Sequence, residues 1–260
     1  MPELPEVEAT RDNLERWSRG RVIAEIERRD RALDPRLDAL AGTAFMRWER
    51  HGKVLAGVTD QGVLLSHHGM TGRWVHDPVP DRPHQRLVLS LGDRSRVAYL
   101  DVRRLGDARL VATPAEAFAG LGPDAWTSPP DAAALRSALG RGKAPLKARL
   151  LDQQRIAGLG NIAVIEACYR ARLHPHTPVE RVSDPDWRRL APAIHDHLAA
   201  TLGQTRGLAE IAYLSEGGDN PFLVYGREGQ PCGICRTPIV RVVRSGRPTF
   251  FCPHCQPEVT

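Results

Sequence analysis

The sequence predicts an α+β protein of several domains: a helix leading into an antiparallel β-sandwich, then a helical domain, then a small cysteine-bearing β-hairpin. Three observations carry that reading. Apolar residues recur with a short, strand-like period from Arg21 to about Leu110 and with a helical period beyond residue 130. A stretch rich in Pro, Gly and Ala, 113–130, separates the two regimes. Four of the five cysteines fall in two Cys-x-x-Cys pairs near the C-terminus. The expected domains are 1–112, a linker over 113–130, then 131–221 and 222–260.

Taken in order, Pro2 to Trp17 reads as an amphipathic helix, with Leu4, Val7, Leu14 and Trp17 on one face. Pro2 suits its first turn and Gly20 can end it. Val22, Ala24 and Ile26 then alternate, as do Val54 and the run from Val63 to Ser66. Asp60-Gln61-Gly62 and Gly92-Asp93 supply turns between strands. Past the linker, helices are expected over roughly 131–139, 145–155, 161–171, 184–203 and 207–214, with Asp184-Pro185 as a helix start. A loop over 214–224 leads to short strands around the cysteines, and no internal repeat or low-complexity tract appears.

Composition narrows the class. The 260 residues are 42% hydrophobic and 26% charged, enough for a real core in an ordinary soluble chain. Lys+Arg 36 against Asp+Glu 31 gives a formal net charge of +5, which permits a polyanionic partner without demanding one. No apolar run approaches the length of a membrane span, so no membrane partner is expected. The opening MPELPEVE carries three glutamates and no basic n-region, so it is not a signal peptide and a cytoplasmic protein is expected.

In that compartment the cysteines argue for metal. Cys232-Gly-Ile-Cys235 and Cys252-Pro-His-Cys255 are separated by sixteen residues, a spacing that suits one tetrahedral zinc held by four cysteines on a hairpin. A closed four-sulfur shell makes that Zn2+ structural. Redox dithiols and coincidental spacing are the competing readings, and His254 is an alternative ligand. Cys168, in a helical stretch, reads as a small buried hydrophobe. Arg236, Arg241, Arg244 and Arg247 lie between the knuckles, either as a phosphate-contacting surface or as a solvated basic face.

The blocks MPELPEVE, Gly52-Lys53, His67-His-Gly-Met70-Thr-Gly72, Asp101-Val-Arg103-Arg104-Leu105-Gly106, Gly158-Leu-Gly-Asn161-Ile, Val224-Tyr-Gly-Arg227 and the finger follow one another along nearly the whole chain. In that order they resemble the formamidopyrimidine-DNA glycosylase/endonuclease VIII family. The resemblance implies a helix plus β-sandwich, a helix–two-turn–helix domain and a four-cysteine zinc finger. It also implies an activity on double-stranded DNA containing damaged bases or abasic sites: a damaged base is flipped out, its glycosidic bond is cleaved, and the strand is nicked by β,δ-elimination.

The same resemblance assigns residues. Removal of Met1 would expose the Pro2 amine. A terminal amine has a pKa of about 7.7–8.0 against about 10.4 for lysine, so more of it is a neutral nucleophile near pH 7. Without the family pattern, Pro2 reads as a helix starter. Glu3 is expected to move protons at the sugar and the nucleophile, Glu6 to position Pro2 or its water, and Lys53 to assist departure of the base. Helix-initial carboxylates are also ordinary dipole partners. Met70, Arg103 and Leu105 match the side chains that fill the gap left by the flipped base. Lys147, Asn161 and Arg247 match positions that approach phosphates near the lesion; a plain helix cap is the other reading of Asn161. His67 and His84 fall near the expected DNA face without an assigned role. Two residues depart from the family pattern: Val102 stands where proline is common and Leu105 where phenylalanine is common.

MPELPEVE is closer to the formamidopyrimidine branch than to an MPEGPE start, which favours oxidised or ring-opened purines. The short 214–224 loop lacks a Gly-aromatic tip, which points instead to a more open pocket accepting oxidised pyrimidines or bulkier lesions. The rival from another class is a non-catalytic damaged-DNA-binding protein; a zinc-finger transcription factor leaves the sandwich unexplained. A monomer is expected, in the bacterial cytoplasm at the nucleoid.

Overall fold

The computed structural model describes residues 2–79, 82–208, 220–244 and 246–258. They fall into two compact units, one holding the described residues within 2–120 and 202–208, the other those within 121–201 and 220–258. The segment 113–130, expected as a linker, is divided between them. Among the described residues no helix is long and apolar enough to cross a membrane.

The first unit opens with α1 (Leu4–Ser18), followed by β1 (Ile23–Arg28), a 3-10 turn (Pro35–Leu40), β2 (Arg47–His51), β3 (Val54–Val58), β4 (Val63–His67), β5 (Arg73–His76), β6 (Gln85–Leu91), β7 (Arg96–Leu100) and β8 (Asp107–Val111). The strands form two four-stranded antiparallel sheets, ordered β1-β6-β7-β5 and β2-β3-β4-β8. Leu14 and Trp17 of α1 share one core with Trp48, Leu64, Trp74 and Tyr99 from both sheets. Gly20, at φ +72, takes the left-handed position just past α1, where its N–H donates to Phe45 O.

Two strand readings change in physical detail. Ile23, not Val22 or Ala24, is buried in β1. A register shift between Ile23 and Glu25 resets the alternation, so Ile26 also packs against the core. In β4, Val63, Leu64 and Leu65 are buried in succession rather than alternately. Both faces of that sheet are covered: Leu64 meets the main core, while Val63 and Leu65 pack with Ala117 of α2 (Pro114–Ala117).

The second unit contains α3 (Ala132–Leu139), α4 (Leu146–Leu150), α5 (Asn161–Arg170), a 3-10 turn (Val179–Arg181), most of α6 (Asp184–Thr205), and the hairpin β9 (Val240–Arg244) and β10 (Arg247–Phe251). The helix expected over 145–155 stops at Leu150 because the Asp152 carboxylate accepts the Gln154 N–H, an Asx turn that competes with helix continuation. Gln153 then clamps the glycine turn: its amide donates to Leu151 O and Leu159 O and accepts from Gly158 N. At α6, Ser183 and Asp186 exchange side-chain and backbone bonds as a cap. Of the helix expected over 207–214, Gly207 and Leu208 are described and are not helical; the rest, with the first part of the 214–224 loop, falls on 209–219, outside the described residues.

Polar stitches fasten α1 to β2. Glu8 and Arg50 form a buried ion pair at 2.5 Å, with the Arg50 side chain only 1% exposed. Trp48 donates its backbone N–H to Glu15 and its indole N–H to Ser18 Oγ. Burial works to raise the Glu8 pKa, but Arg50 and Arg11 outweigh it and hold the carboxyl below its ordinary value. The pair therefore stabilises the fold above the unfolded carboxylate pKa, and that contribution is lost as pH falls. Arg50→Met should leave Glu8 poorly paired in the interior and cost about 3 kcal/mol at neutral pH, measured by urea denaturation. Glu8→Gln on top of Arg50→Met should recover part of the loss; a fully additive double variant would contradict the coupling.

Candidate functional site

The chain reaches its first helix almost at once. Glu3 is the N-cap of α1, and Glu6 at the third helical position accepts the Glu3 N–H at 2.9 Å, half of a reciprocal capping box. Pro5, not Pro2, occupies the first helical turn. The conformational demand at the helix start is thus met by Pro5, and the helix-starter reading of Pro2 falls away. Pro2 and Glu3 are both buried. Burial, with the neighbouring Glu3 charge, raises the Glu6 pKa to about 7 against the restraining Glu3 N–H. Two carboxyl groups therefore lie within the one helical turn that follows Pro2, and the pKa of Glu6 is close to neutral pH.

Lys53 sits at the tip of the β2–β3 hairpin, in the two-residue turn closed by the pair His51–Val54. Gly52, at φ +57, supplies the left-handed turn position. The Glu8–Arg50 pair ties this hairpin to the helix that holds Glu6 and follows Pro2 and Glu3. His67 pairs with Val54 across β3–β4, and its pKa is lowered by burial and by the Lys53 ammonium. In the sequence Lys53 and His67 are separate features; the sheet register makes them neighbours. His84 lies exposed in a turn at φ +65, where its carbonyl accepts the Asp101 N–H.

The loops bearing Met70 and Arg103/Leu105 pack backbone to backbone. A Cβ on Gly69 would lie 2.5 Å from the Leu105 carbonyl, and one on Gly106 would lie 1.8 Å from Tyr99 Oη and 2.6 Å from His67 O. Only glycine allows that approach. Asp101 locks the pair: Thr71 Oγ1 donates to its Oδ1, and Gly106 N donates to its Oδ2 at 2.7 Å. Buried Arg86 reaches the same Asp101, Gly106 O and Asp30. On this frame Arg103 and Leu105 project outward, Leu105 54% exposed, while Met70 is half-buried. Asp101 and Arg86 went unassigned in the sequence. Asp101 stands at the head of the same motif as Arg103, which was the available signal; Arg86 carries none.

In the second unit Asn161 is the first residue of α5, with Gly160 as N-cap, so it does not cap the helix. It is buried and donates Nδ2 to Pro248 O. Lys147, expected to approach phosphates, is 5% exposed, and its ammonium donates to Pro248 O and Thr249 Oγ1. Burial, with Arg247 nearby, lowers its pKa to about 8. Arg247 is exposed at the start of β10, opposite Arg244.

The four sulfurs of Cys232, Cys235, Cys252 and Cys255 lie within 4.8 Å of one another. The Cys232–Cys255 and Cys235–Cys252 separations, 3.9 and 3.4 Å, exclude disulfides and approach the ~3.8 Å edge of a tetrahedral zinc thiolate site. Ile234 N–H and Cys255 N–H point at knuckle sulfurs, a donor set that suits thiolate charge. His254 is exposed and outside the cluster. These residues fit one structural zinc. The finger packs on α5 through Ile165 and Tyr169, whose hydroxyl lies 3.2 Å from Cys232 Sγ. Cys168 is fully buried, its thiol pushed up to about 12 by burial.

Comparison with known proteins covers both units. Family models match the formamidopyrimidine-DNA glycosylase N-terminal domain over 1–108, its H2TH domain over 121–210, and a zinc finger found in FPG and IleRS over 229–257. The chain is 38% identical over 284 residues to the formamidopyrimidine-DNA glycosylase of Cereibacter sphaeroides, covering 98% of this chain and 100% of that one. It is similar in structure to Lactococcus lactis Fpg in complex with DNA containing an abasic site, at TM-score 0.89 and 29% identity over 99% of this chain and 100% of that one. The Lactococcus lactis Fpg complex with DNA containing an oxidised pyrimidine matches at the same TM-score of 0.89, 29% identity and 99% and 100% coverage.

Glu6→Gln tests the proton held beside Pro2. The Glu6 pKa in the fold, about 7, lies above the ordinary 4.5. Its protonated form stabilises fully below pH 4.5, and that stability is lost as pH rises through 7. Glutamine does not titrate. The melting temperature of the variant, relative to wild type, should rise between pH 5 and pH 8; a difference constant over that range would contradict the raised pKa.

Proposed function

The chain belongs to the formamidopyrimidine-DNA glycosylase/endonuclease VIII family, and we propose that it is a bifunctional DNA glycosylase and abasic-site lyase of base-excision repair. The observation that carries this reading is the N-terminus: Pro2 and Glu3 are buried just ahead of a helix whose first turn is already served by Pro5 and Glu6.

With Met1 removed, the neutral Pro2 amine attacks C1′ of the damaged nucleotide. The bond from C1′ to the base breaks, and the base leaves with its bonding electrons and a proton. Glu3 protonates the ring oxygen as the sugar opens and takes the proton from nitrogen, giving an iminium ion. Its positive charge acidifies C2′. Loss of a C2′ proton expels the 3′ phosphate, a second elimination expels the 5′ phosphate, and water frees Pro2. Glu6, with its pKa raised to about 7, can hold a reserve proton in the turn that follows the amine. Lys53 assists departure of the base.

Met70, Arg103 and Leu105 fill the gap in the base stack, with Arg103 toward the unpaired partner base. Asn161 and Arg247 belong to the phosphate-binding side. The zinc, held by Cys232, Cys235, Cys252 and Cys255, keeps the finger folded. The substrate is duplex DNA carrying an oxidised or ring-opened purine or an abasic site. The chain acts as a monomer in the cytoplasm, where genomic DNA is found. A broader lesion range is favoured by one observation: the similar Lactococcus lactis protein forms a complex with DNA containing an oxidised pyrimidine.

Strand cleavage on duplexes containing 8-oxoguanine, thymine glycol or an abasic site tests the reading. Wild type should cleave the 8-oxoguanine and abasic duplexes. Lys53→Ala should lose about a hundredfold on 8-oxoguanine while nicking the abasic duplex nearly as wild type, because no base remains to depart. Equal loss on both would remove Lys53 from base release, and cleavage of thymine glycol alone would move the substrate to pyrimidines.

A further inference from the structure

Three residues distant in sequence converge on the start of β10. Lys147 Nζ donates to Pro248 O at 3.0 Å and to Thr249 Oγ1 at 2.7 Å. Asn161 Nδ2 donates to the same Pro248 carbonyl at 3.1 Å. Thr249, fully buried, stands 3.4 Å from His176 Nε2 through its hydroxyl. Burial, with Arg244 nearby, lowers the His176 pKa to about 4, so at pH 7 the ring is neutral and can accept the hydroxyl proton. The bonds then run in one direction, from ammonium to hydroxyl to imidazole, inside the protein.

Arg247 immediately precedes this anchored carbonyl and is exposed. Pro248 fixes its own φ and has no N–H with which to hold its place in the hairpin ladder. The carbonyl contacts from α4 and α5 supply that hold instead. A lysine buried to this degree, with two of its three donors turned to the hairpin, is poorly placed to bind a phosphate itself.

We propose that Lys147, Thr249 and His176 form an internal strut that positions Arg247 on a DNA phosphate, Lys147 acting through the hairpin rather than as a phosphate ligand. This rests on the DNA-repair reading above. The strut makes an uncharged residue, Thr249, a determinant of the salt dependence of binding.

The test is anisotropy titration of a duplex carrying a tetrahydrofuran abasic analogue over a range of salt, with zinc content and melting temperature recorded for each protein. Arg247→Ala should weaken binding about tenfold and flatten the plot of log K against log[salt] by about 0.9, the loss of one phosphate. Thr249→Val removes no charge, yet should flatten the slope by the same amount and add nothing when combined with Arg247→Ala. Lys147→Met should behave likewise, and Thr249→Ser, which keeps the hydroxyl, should bind as wild type. Thr249→Val with wild-type affinity and slope would overturn the strut, as would Lys147→Met adding a further slope change to Arg247→Ala. Should Thr249→Val lose zinc, Lys147→Met and Thr249→Ser decide by the same criteria. Wild type with no salt-dependent duplex binding would overturn the repair reading instead, an outcome distinct from both.

Discussion

The buried pair between Glu8 and Arg50 is the constraint on which the proposed chemistry depends. A chain terminus is ordinarily the least ordered part of a domain. Here the nucleophile is assigned to the second residue, so the fold has to hold an end as firmly as a core strand. It does so by starting α1 at Leu4, burying Leu4, Leu14 and Trp17, and bonding Glu8, Glu15 and Ser18 across to β2. Because β2 runs directly into the turn with Lys53, the same contacts tie that turn to the helix that follows Pro2 and Glu3. One charged pair inside the first unit thus connects the proposed nucleophile to the group proposed to help the base leave.

The loops that carry Met70, Arg103 and Leu105 answer a different need. Side chains that push into a base stack must resist being pushed back. Gly69 and Gly106 let the two loops meet at backbone distance, and Asp101 with Arg86 closes the contact. In the second unit the bonds from Lys147 and Asn161 to Pro248 do comparable work for Arg247. In both units exposed side chains assigned to DNA rest on buried, bonded polar groups, which is how a site on loops gains the rigidity of a scaffold.

Much of this was legible in the sequence because it is local or ordered. Two cysteine knuckles at the right spacing define the metal centre without knowledge of the fold, and the change from strand to helical period marks the two regimes. The motif order brought out Pro2, Lys53 and the two loops proposed to fill the gap in the base stack. What stayed hidden depends on contacts that no window of sequence contains. Lys147 matches a position that approaches phosphates, but nothing in the sequence shows that Thr249, 102 residues away, accepts from its ammonium. Arg86 carries no motif, yet joins Asp30 to Asp101. The shift of β1 from Val22 to Ile23 follows from a bulge against β6, and the early end of α4 from one aspartate turning back on the chain. Pro2 and Pro5 look equally able to start a helix; only the position of the N-cap separates a structural proline from one available for chemistry.

In the proposed reaction the N-terminal proline becomes covalently joined to the sugar. The most direct measurement is borohydride trapping on a duplex with an abasic site, using protein with confirmed loss of Met1 and bound zinc, as wild type and as Pro2→Gly. Reduction should fix a covalent protein–DNA adduct in the wild type, mapped by mass spectrometry to the proline nitrogen, and strongly reduced in the variant. A processed, zinc-loaded wild-type protein that binds the abasic duplex and forms no adduct would contradict imine chemistry at Pro2 and leave a protein that recognises damaged DNA without cutting it.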